Sequence, residues 1–455
     1  MHYHLIGIGG TGLSAIARVL LEQGHTVSGS DRQRSPLAEA VAQAGGRVYI
    51  GHAAEHIAGA QVVIRSSAIP DENPEVQAAR SRGIPVLKRS DFLGDLMSGQ
   101  DCLAVAGTHG KTTTTAMLAW ALTAQGQDPS YIIGGVSANL GNNAHAGAGR
   151  YFVIEADEYD RMFLGLSPRA AIVTNMEHDH PDCYPTPQDF AQAFQAFTDR
   201  LRPDGFLLVC SEDAGAASLG EFARTQGRRV LTYGFSPQAV YRAQNLRLPP
   251  EGGGYTFRVM YQQESLGDVS LHVPGRHNVL NALAVVAMLH QLGLPLERVA
   301  EALNAFSGTG RRFEILGEAD GVTVIDDYAH HPTEIEATLE AARARFPGRR
   351  LWAVWQPHTY SRTRTLQERF AAAFSNADKV LVTPVYAARE APPADGFDAS
   401  HVVRRMQHPS ARYCPSLEAT TKHLLARLQS GDVVLVFSAG DATQISRSVL
   451  ESLRS

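Results

Sequence analysis

The chain has 455 residues, of which 44% are apolar, 19% charged and 7% aromatic. That is the composition of a globular protein with about three domains, at roughly 150 residues each. Lys and Arg number 41 against 46 Asp and Glu, a net charge of −5, which argues against a broad nucleic-acid surface or a polybasic membrane anchor but not against a local phosphate site. Apolar runs such as Ala116–Ala124 fall well short of the ~20 residues a bilayer demands. Met1–Ile8 runs straight into glycines, without the cationic lead of an export signal. Cys102, Cys183, Cys210 and Cys414 form no C-x-x-C pair and read as free buried thiols in a reducing, cytoplasmic compartment.

The first ~95 residues alternate short strands and helices, the sign of a parallel sheet with crossover helices. Tyr3–Ile8 is predicted as a strand, Thr11–Glu22 as a helix and Thr26–Gly29 as the next strand, with Val62–Ile64 and Pro85–Leu87 as later strands. A break is expected around Asp91–Gln100. The pattern restarts with a strand at Leu103–Ala106 and a helix at Lys111–Ala124. Strands follow at Phe152–Ile154, Ala170–Val173, Phe206–Val209 and Val230–Tyr233, and a hairpin at Tyr255–Tyr261 and Val269–Val273. Helices are expected at His277–Leu292 and Leu296–Phe306, before a Gly308–Gly310 hinge. A third alternation starts at Phe313, with strands at Val322–Ile325, Leu351–Trp355, Lys379–Thr383 and Val433–Phe437.

Chemistry-bearing motifs sit where these strands end. Gly7, Gly9, Gly10 and Gly12 lie in a G-x-G-x-x-G loop between strand and helix, and Asp31 closes the second strand. Glycines let backbone N–H groups approach a diphosphate, which the helix N-terminus favours. The loop alone fits NAD, any nucleotide diphosphate, or a tight turn with no ligand. Gly107, Thr108, His109, Gly110, Lys111, Thr112 and Thr113 follow a strand and open a helix, although Val105 stands where the general phosphate loop has its first glycine. Backbone N–H groups there can cradle phosphates, Lys111 can reach β/γ oxygens and Thr112 can hold Mg²⁺. Glu155-Ala156-Asp157-Glu158 offers a metal carboxylate at a strand end. His178 and His180, within Asn175–His180, could ligate zinc, but no third strong ligand stands at a familiar spacing, and a second Mg²⁺ position near phosphate fits better. His277, Asn278 and Asn281 open a helix that reads either as capped or as ligand-facing. Asp326–Pro332 and Trp355–Arg364 place His and Arg at the carboxyl end of the third sheet, a candidate face for an anion.

In this order the motifs resemble the Mur ligases of bacterial cell-wall synthesis, over essentially the whole chain. The resemblance implies three consecutive α/β domains. These are a Rossmann-like UDP-sugar domain (1–95), a central P-loop ATPase-type domain with a mostly parallel sheet (96–310), and a Rossmann-like amino-acid domain (311–455). Within the family the likeness is to the member that adds the first amino acid, L-alanine, to UDP-N-acetylmuramate. The alternative is the member that recycles a whole tripeptide, and a nicotinamide oxidoreductase built on the first loop is the reading from another class.

The resemblance also implies roles for individual residues. Gly7, Gly9, Gly10, Gly12, Asp31 and Ser67 would bind the UDP-sugar, and Lys111 the β/γ-phosphates of ATP. Thr112 and Glu155 would ligate one Mg²⁺ and His180 a second, with Mn²⁺ able to substitute. His277, Asn278, Asn281 and Arg312 would surround ATP, and Asp327, His330 and Arg362 the reaction centre, with His330 a candidate base. The partners so implied are UDP-N-acetylmuramate, L-alanine and ATP, with no nucleic acid and no membrane insertion, for a monomer or weak homodimer. Three positions depart from the family pattern: Thr359 replaces a usual Arg, Ala329 a common Gly, and Tyr159 a common Ser. The Tyr is shared with the tripeptide ligase, whose first loop differs from the one here.

Overall fold

The computed structural model describes residues 1–250, 253–388 and 390–454. Three sheets follow one another along the chain. By internal contacts the chain groups into two compact units. One comprises Met1–Gln244, Val259–Gly267 and Leu280–Leu303; the other comprises Asn245–Arg258, Asp268–Val279 and Asn304–Ser455.

The first sheet lies wholly in the first unit. Its strands are β1 (His2–Ile6), β2 (Thr26–Asp31), β3 (Arg47–Ile50), β4 (Val62–Arg65) and β5 (Val86–Lys88), in the order β3-β2-β1-β4-β5 and all parallel. The order reverses between β1 and β4, which opens a crevice beyond their carboxyl ends where such sheets bind ligands. Helix α1 (Thr11–Glu22) buries Leu13, Ile16, Val19 and Leu20. The next two helices start on side-chain caps followed by proline at the first helical position. Ser35 caps α2 (Pro36–Gln43) and Asn73 caps α3 (Pro74–Ser81), satisfying amide groups the helix itself cannot.

One expectation fails here. Asp91–Gln100 is not simply a break, because α4 (Arg89–Leu96) runs into it and buries Phe92, Leu93 and Leu96. The helix packs on a 3₁₀ segment, Tyr159–Gly165, of the following sheet's connections. Contact is so close at Gly165 that a Cβ there would lie 2.0 Å from the Ser90 carbonyl oxygen.

The middle sheet has ten strands. β6 (Asp101–Ala106) leads to α5 (Lys111–Ala124), β7 (Ser130–Ile132), β8 (Ala144–His145), β9 (Tyr151–Glu155) and β10 (Ala170–Val173). α6 (Pro187–Asp199), β11 (Phe206–Cys210), α7 (Ala214–Thr225) and β12 (Arg229–Gly234) follow, then β13 (Tyr241–Arg247), β14 (Thr256–Tyr261) and β15 (Glu264–Ser270). The order is β15-β14-β13-β12-β11-β10-β6-β9-β7-β8. The central ladder is parallel, pairing Val173 with Ala106 and Val105 with Glu155. Three loops therefore emerge side by side at one edge. α8 (Arg276–Gln291) and α9 (Leu296–Asn304) complete the region.

The third sheet belongs to the second unit. It contains β16 (Glu314–Ala319), β17 (Val322–Asp327), α10 (Pro332–Arg345), β18 (Leu351–Gln356), α11 (Tyr360–Thr365) and α12 (Gln367–Ala372). β19 (Lys379–Val382), α13 (Ser400–Val403), β20 (Ala411–Tyr413), α14 (Leu417–Leu425), β21 (Val433–Ser438) and α15 (Thr443–Arg454) finish the chain. Strand order is β16-β17-β21-β18-β19-β20, with only β16 antiparallel to its neighbour. β17, β18 and β21 are buried at every residue, as expected for strands covered by helices on both faces. All four cysteines are free, but Cys183 is only partly buried, so the buried-thiol expectation holds for Cys102, Cys210 and Cys414. Among the described residues, no helix is long and apolar enough to cross a membrane.

Candidate active site

The first-sheet glycine loop is held open by its own side-chain scaffold. Gly7 turns at φ +92° and donates its N–H to the Ser30 carbonyl at 2.8 Å. Gly9 donates to the Asp31 carboxylate at 2.9 Å, while Ser35 Oγ donates to the Gly9 carbonyl at 3.1 Å. Asp31 thus fixes the loop's backbone. Gly10 caps α1, and a Cβ on Gly12 would lie 1.8 Å from an Arg89 nitrogen, so a guanidinium rests on the start of that helix. Arg89 in turn pairs with Asp157 at 3.2 Å. Ser67 is exposed just beyond β4.

Beneath this loop lies a buried polar cluster. The Glu75 carboxylate has no exposed surface and receives Ser30 Oγ at 2.5 Å. It also contacts His56 Nδ1 at 2.8 Å, His52 Nδ1 at 3.3 Å and His4 Nε2 at 3.6 Å.

The second loop, between β6 and α5, has the build by which backbone N–H groups can cradle a phosphate. Gly107 sits at φ +129°, where a Cβ would lie 2.1 Å from Thr174 Oγ1; Gly110 sits at φ +80°, where one would lie 2.8 Å from Asn281 Oδ1. Only glycine fits either position. The residues after β10 tie the loop down. Asn175 Oδ1 accepts from the His109 N–H at 2.8 Å, and Thr174 Oγ1 donates to the His109 carbonyl at 2.6 Å. Thr108 Oγ1 donates to the Glu177 carbonyl at 2.8 Å, and the His109 ring meets the Glu177 carboxylate at 3.0 Å. Thr113 is buried in the first turn of α5.

Lys111 points back over this loop. Its ammonium donates to the carbonyls of Gly107 at 2.5 Å and Thr108 at 3.0 Å, and pairs with Glu158 at 2.9 Å. Burial opposes its charge, but Glu158, Glu155 and Asp157 outweigh burial and raise its pKa. Glu155, by contrast, has its charge opposed by its surroundings. Burial raises its pKa against the pull of Lys111, the Gly134 N–H and the Thr112 hydroxyl. Thr112 Oγ1 and Glu155 Oε1 stand 3.1 Å apart. Two hard oxygen donors side by side suit a Mg²⁺ or Mn²⁺ ion. His180, at φ +55°, lies 3.5 Å from Glu158 and 3.7 Å from Asp179. His178 is turned elsewhere, its Nε2 2.8 Å from the Tyr184 carbonyl oxygen, which favours the magnesium reading of this motif over zinc.

In the second unit, Asp327 ends β17 with both carboxylate oxygens committed, receiving the N–H groups of Phe313 and Ala329 at 2.7 Å each. Burial pushes its pKa up to about 6, against the pull of Arg312 and of those two amides. Arg312 reaches Glu334 at 3.6 Å and lies over the Tyr328 ring. His277 shares this neighbourhood. Burial first, then Arg312, lower its pKa to about 4, so its imidazole is neutral near pH 7. Asn278 Nδ2 donates to the Pro274 carbonyl at 2.7 Å, a local tie of the helix start. His330 Nδ1 lies 3.0 Å from the Tyr328 carbonyl oxygen and 3.4 Å from Glu334, with its ring edge-on to His358. Arg362, on α11, is buried and contacts His358 Nδ1 at 3.2 Å. Thr359 adopts φ +64° and anchors its N–H on the Tyr386 carbonyl.

The sequence-predicted residues therefore gather at the carboxyl ends of three sheets. Lys111, Thr112, Glu155 and His180 converge directly, and Asp327, His330, Arg312 and Arg362 occupy one edge of the third sheet. Sequence reasoning missed Glu158, which joins Lys111 to His180, although the acidic motif contained it. It also missed Arg89, which no motif marks, and the role of Asn175 in holding the phosphate loop.

Family models match the chain in three consecutive stretches. Residues 2–101 match the Mur ligase family catalytic domain, 105–289 the Mur ligase middle domain, and 311–440 the Mur ligase glutamate ligase domain. A UDP-N-acetylmuramate–L-alanine ligase of Salinibacter ruber is 44% identical over 99% of this chain and 94% of its own. One from Geobacter sulfurreducens is 43% identical, over 99% and 97%. Among solved structures, the UDP-N-acetylmuramate–alanine ligase of Thermotoga maritima superposes with a TM-score of 0.83 at 30% identity, over 99% of both chains. A murein peptide ligase of Psychrobacter arcticus gives 0.73 at 26%, over 100% and 99%.

Proposed function

The chain belongs to the Mur ligase family, and from that premise we propose that it joins L-alanine to the lactyl carboxylate of UDP-N-acetylmuramate, using ATP, in peptidoglycan synthesis. The observation that carries this reading is the full-length similarity to ligases of that specificity. Family membership replaces the nicotinamide reading of the first loop.

In this reading residues 1–95 take the sugar nucleotide, 96–310 take ATP and 311–455 take the amino acid, in the cytoplasm. The first loop offers glycine N–H groups and the start of α1 to the diphosphate, with Asp31 holding the loop and Ser67 at its rim. Lys111 exchanges its hydrogen bonds to the loop carbonyls for bonds to the β/γ-phosphate oxygens. Thr112 and Glu155 would hold one Mg²⁺ and His180 a second, Mn²⁺ serving equally. Such ions neutralise charge on the transferred phosphoryl group.

The substrate carboxylate attacks the γ-phosphorus and ADP leaves, giving an acyl phosphate. The amine nitrogen then attacks that carbonyl, and inorganic phosphate departs from the tetrahedral intermediate. The ammonium of the amino acid must lose a proton before attack, and His330, held by the Tyr328 carbonyl and Glu334, is the base assigned to this. Arg362 and Arg312 supply positive charge for carboxylate and phosphate. Neutral His277, with Asn278 and Asn281, lines the nucleotide side.

The test is phosphate release by the purified chain. Release is expected only when ATP, UDP-N-acetylmuramate and an amino acid are all present, with L-alanine preferred to glycine and L-serine. Equal turnover with the tripeptide L-alanyl-γ-D-glutamyl-diaminopimelate would replace this reading with the recycling ligase. The Thr359 position gives a sharper check on the amino-acid pocket. Thr359→Arg restores a guanidinium that can bind a carboxylate in bidentate fashion. The KM for L-alanine is expected to fall about tenfold, in line with ~1.5 kcal/mol for a charged hydrogen bond. An unchanged KM would show that another residue binds the carboxylate.

A further inference from the structure

We propose that Glu158 is a positioning residue that holds the Lys111 ammonium, against two carbonyls of its own loop, toward His180, where the transferred phosphoryl group gathers charge. This rests on the ligase reading given above.

Three carboxylates follow β9, and the structure gives each a different task. Glu155 meets Thr112 and the Gly134 N–H. Asp157 reaches out to Arg89. Glu158 alone of the three contacts both Lys111, at 2.9 and 3.0 Å, and His180, at 3.5 Å. Its side chain is 1% exposed, so water does not screen these contacts. Its main chain is clamped as well, because the Glu158 carbonyl accepts the Tyr184 hydroxyl at 2.5 Å and the Arg161 N–H at 2.9 Å. Tyr184 lies four residues after His180 and is fully buried. The same short segment thus fixes Glu158 and carries the histidine it contacts.

The consequence for Lys111 follows from counting donors. An ammonium has three N–H groups, and here the Gly107 carbonyl, the Thr108 carbonyl and Glu158 take them. Remove the carboxylate and both remaining partners belong to the loop, so the cation settles back against backbone. Glutamine in place of Glu158 keeps the volume but has no charge, and only one of its two head atoms can still accept a hydrogen bond. Bound ATP can still recruit Lys111, because its phosphates are far stronger acceptors than the loop carbonyls. The cation is then no longer braced from the His180 side when charge shifts in the transition state. Misplacement of a reacting group costs turnover more than binding.

The test uses the full-length chain with saturating UDP-N-acetylmuramate, L-alanine and Mg²⁺, and varied ATP, following ADP formation. Glu158→Gln is expected to lower kcat roughly a hundredfold with the KM for ATP unchanged or reduced; the thermal unfolding midpoint falls as well, because a buried ammonium loses its carboxylate. Glu158→Asp, which keeps the charge one methylene shorter, is expected to recover part of kcat. A wild-type chain that forms no ADP in response to UDP-N-acetylmuramate would overturn the ligase reading itself. Given an active wild type, a Glu158→Gln kcat within twofold would overturn the inference. So would a fall in kcat matched by a rise in the KM for ATP, the pattern of general damage to the nucleotide site. If Glu158→Gln fails to fold, Glu158→Asp decides: reduced kcat at unchanged KM for ATP supports the proposal, and wild-type kcat overturns it.

Discussion

Lys111→Ala is expected to reduce ligation by about 10³-fold or more, the scale on which phosphoryl-transfer enzymes lose rate with a cation at the transferred group. UDP-N-acetylmuramate binding, measured calorimetrically, should stay within a few-fold of wild type. The sugar nucleotide's proposed contacts come from the loop after β1 and the end of β2, whereas Lys111 stands at the head of α5 in a different sheet. Loss of the ammonium leaves Glu158 buried without its cation, so some stability will be lost too. Lys111→Arg separates the two effects. It keeps the charge but changes the head group from a compact ammonium to a planar fork, and it should hold the fold while still failing at turnover. A collapse of UDP-sugar affinity in step with activity would show that the first loop has been given the wrong ligand.

A second large effect concerns stability in acid. Burial pushes the Glu75 pKa up, but the nearby His4 ring and hydrogen bonds from Ser30 and His56 overcome it, bringing the folded value from 4.5 to about 2. A carboxylate held below its unfolded value adds stability that is complete above pH 4.5 and disappears as pH falls toward 2. The shift corresponds to about 3 kcal/mol. Wild type is therefore expected to weaken steeply over that interval in urea unfolding. Glu75→Gln should lose about 3 kcal/mol at neutral pH and show a much flatter acid limb over the same interval. A mutant curve parallel to wild type through this range would mean that Glu75 is not the group that titrates.

These two sites were legible to different degrees in the sequence. Lys111–Ala124 was predicted with its observed bounds, because a strand, a glycine loop and a run of helix formers leave one local solution. Strands with buried runs, such as Ala170–Val173, were equally clear. What escaped was short or two-faced. Arg47–Ile50 and Ala411–Tyr413 are partly exposed edge strands without a continuous apolar run, and Tyr241–Arg247 alternates buried and exposed positions among polar residues. Helix Arg89–Leu96 hides because Gly94 interrupts it and only three of its side chains are buried. The site residues at strand ends could be named because parallel α/β sheets expose their loops there. Glu158 could not be ranked above its acidic neighbours, since the Lys111–Glu158–His180 contact joins segments far apart in sequence. The Glu75 cluster likewise draws His4, Ser30 and the His52–His56 segment from three separate stretches.

Helix α4 has a practical bearing on how this family could be re-engineered. Arg89 touches Gly12 and Asp157, and Gly165 presses against Ser90. The end of the first sheet's region and the connections of the middle sheet therefore share one seam. If residues 1–95 take the sugar nucleotide as proposed, a foreign module cannot be grafted as an interchangeable cassette by cutting near residue 95. A working chimera would have to carry α4 and the Asp157–Gly165 segment together, so that donor specificity and the acidic corner of the phosphate site are inherited as a pair.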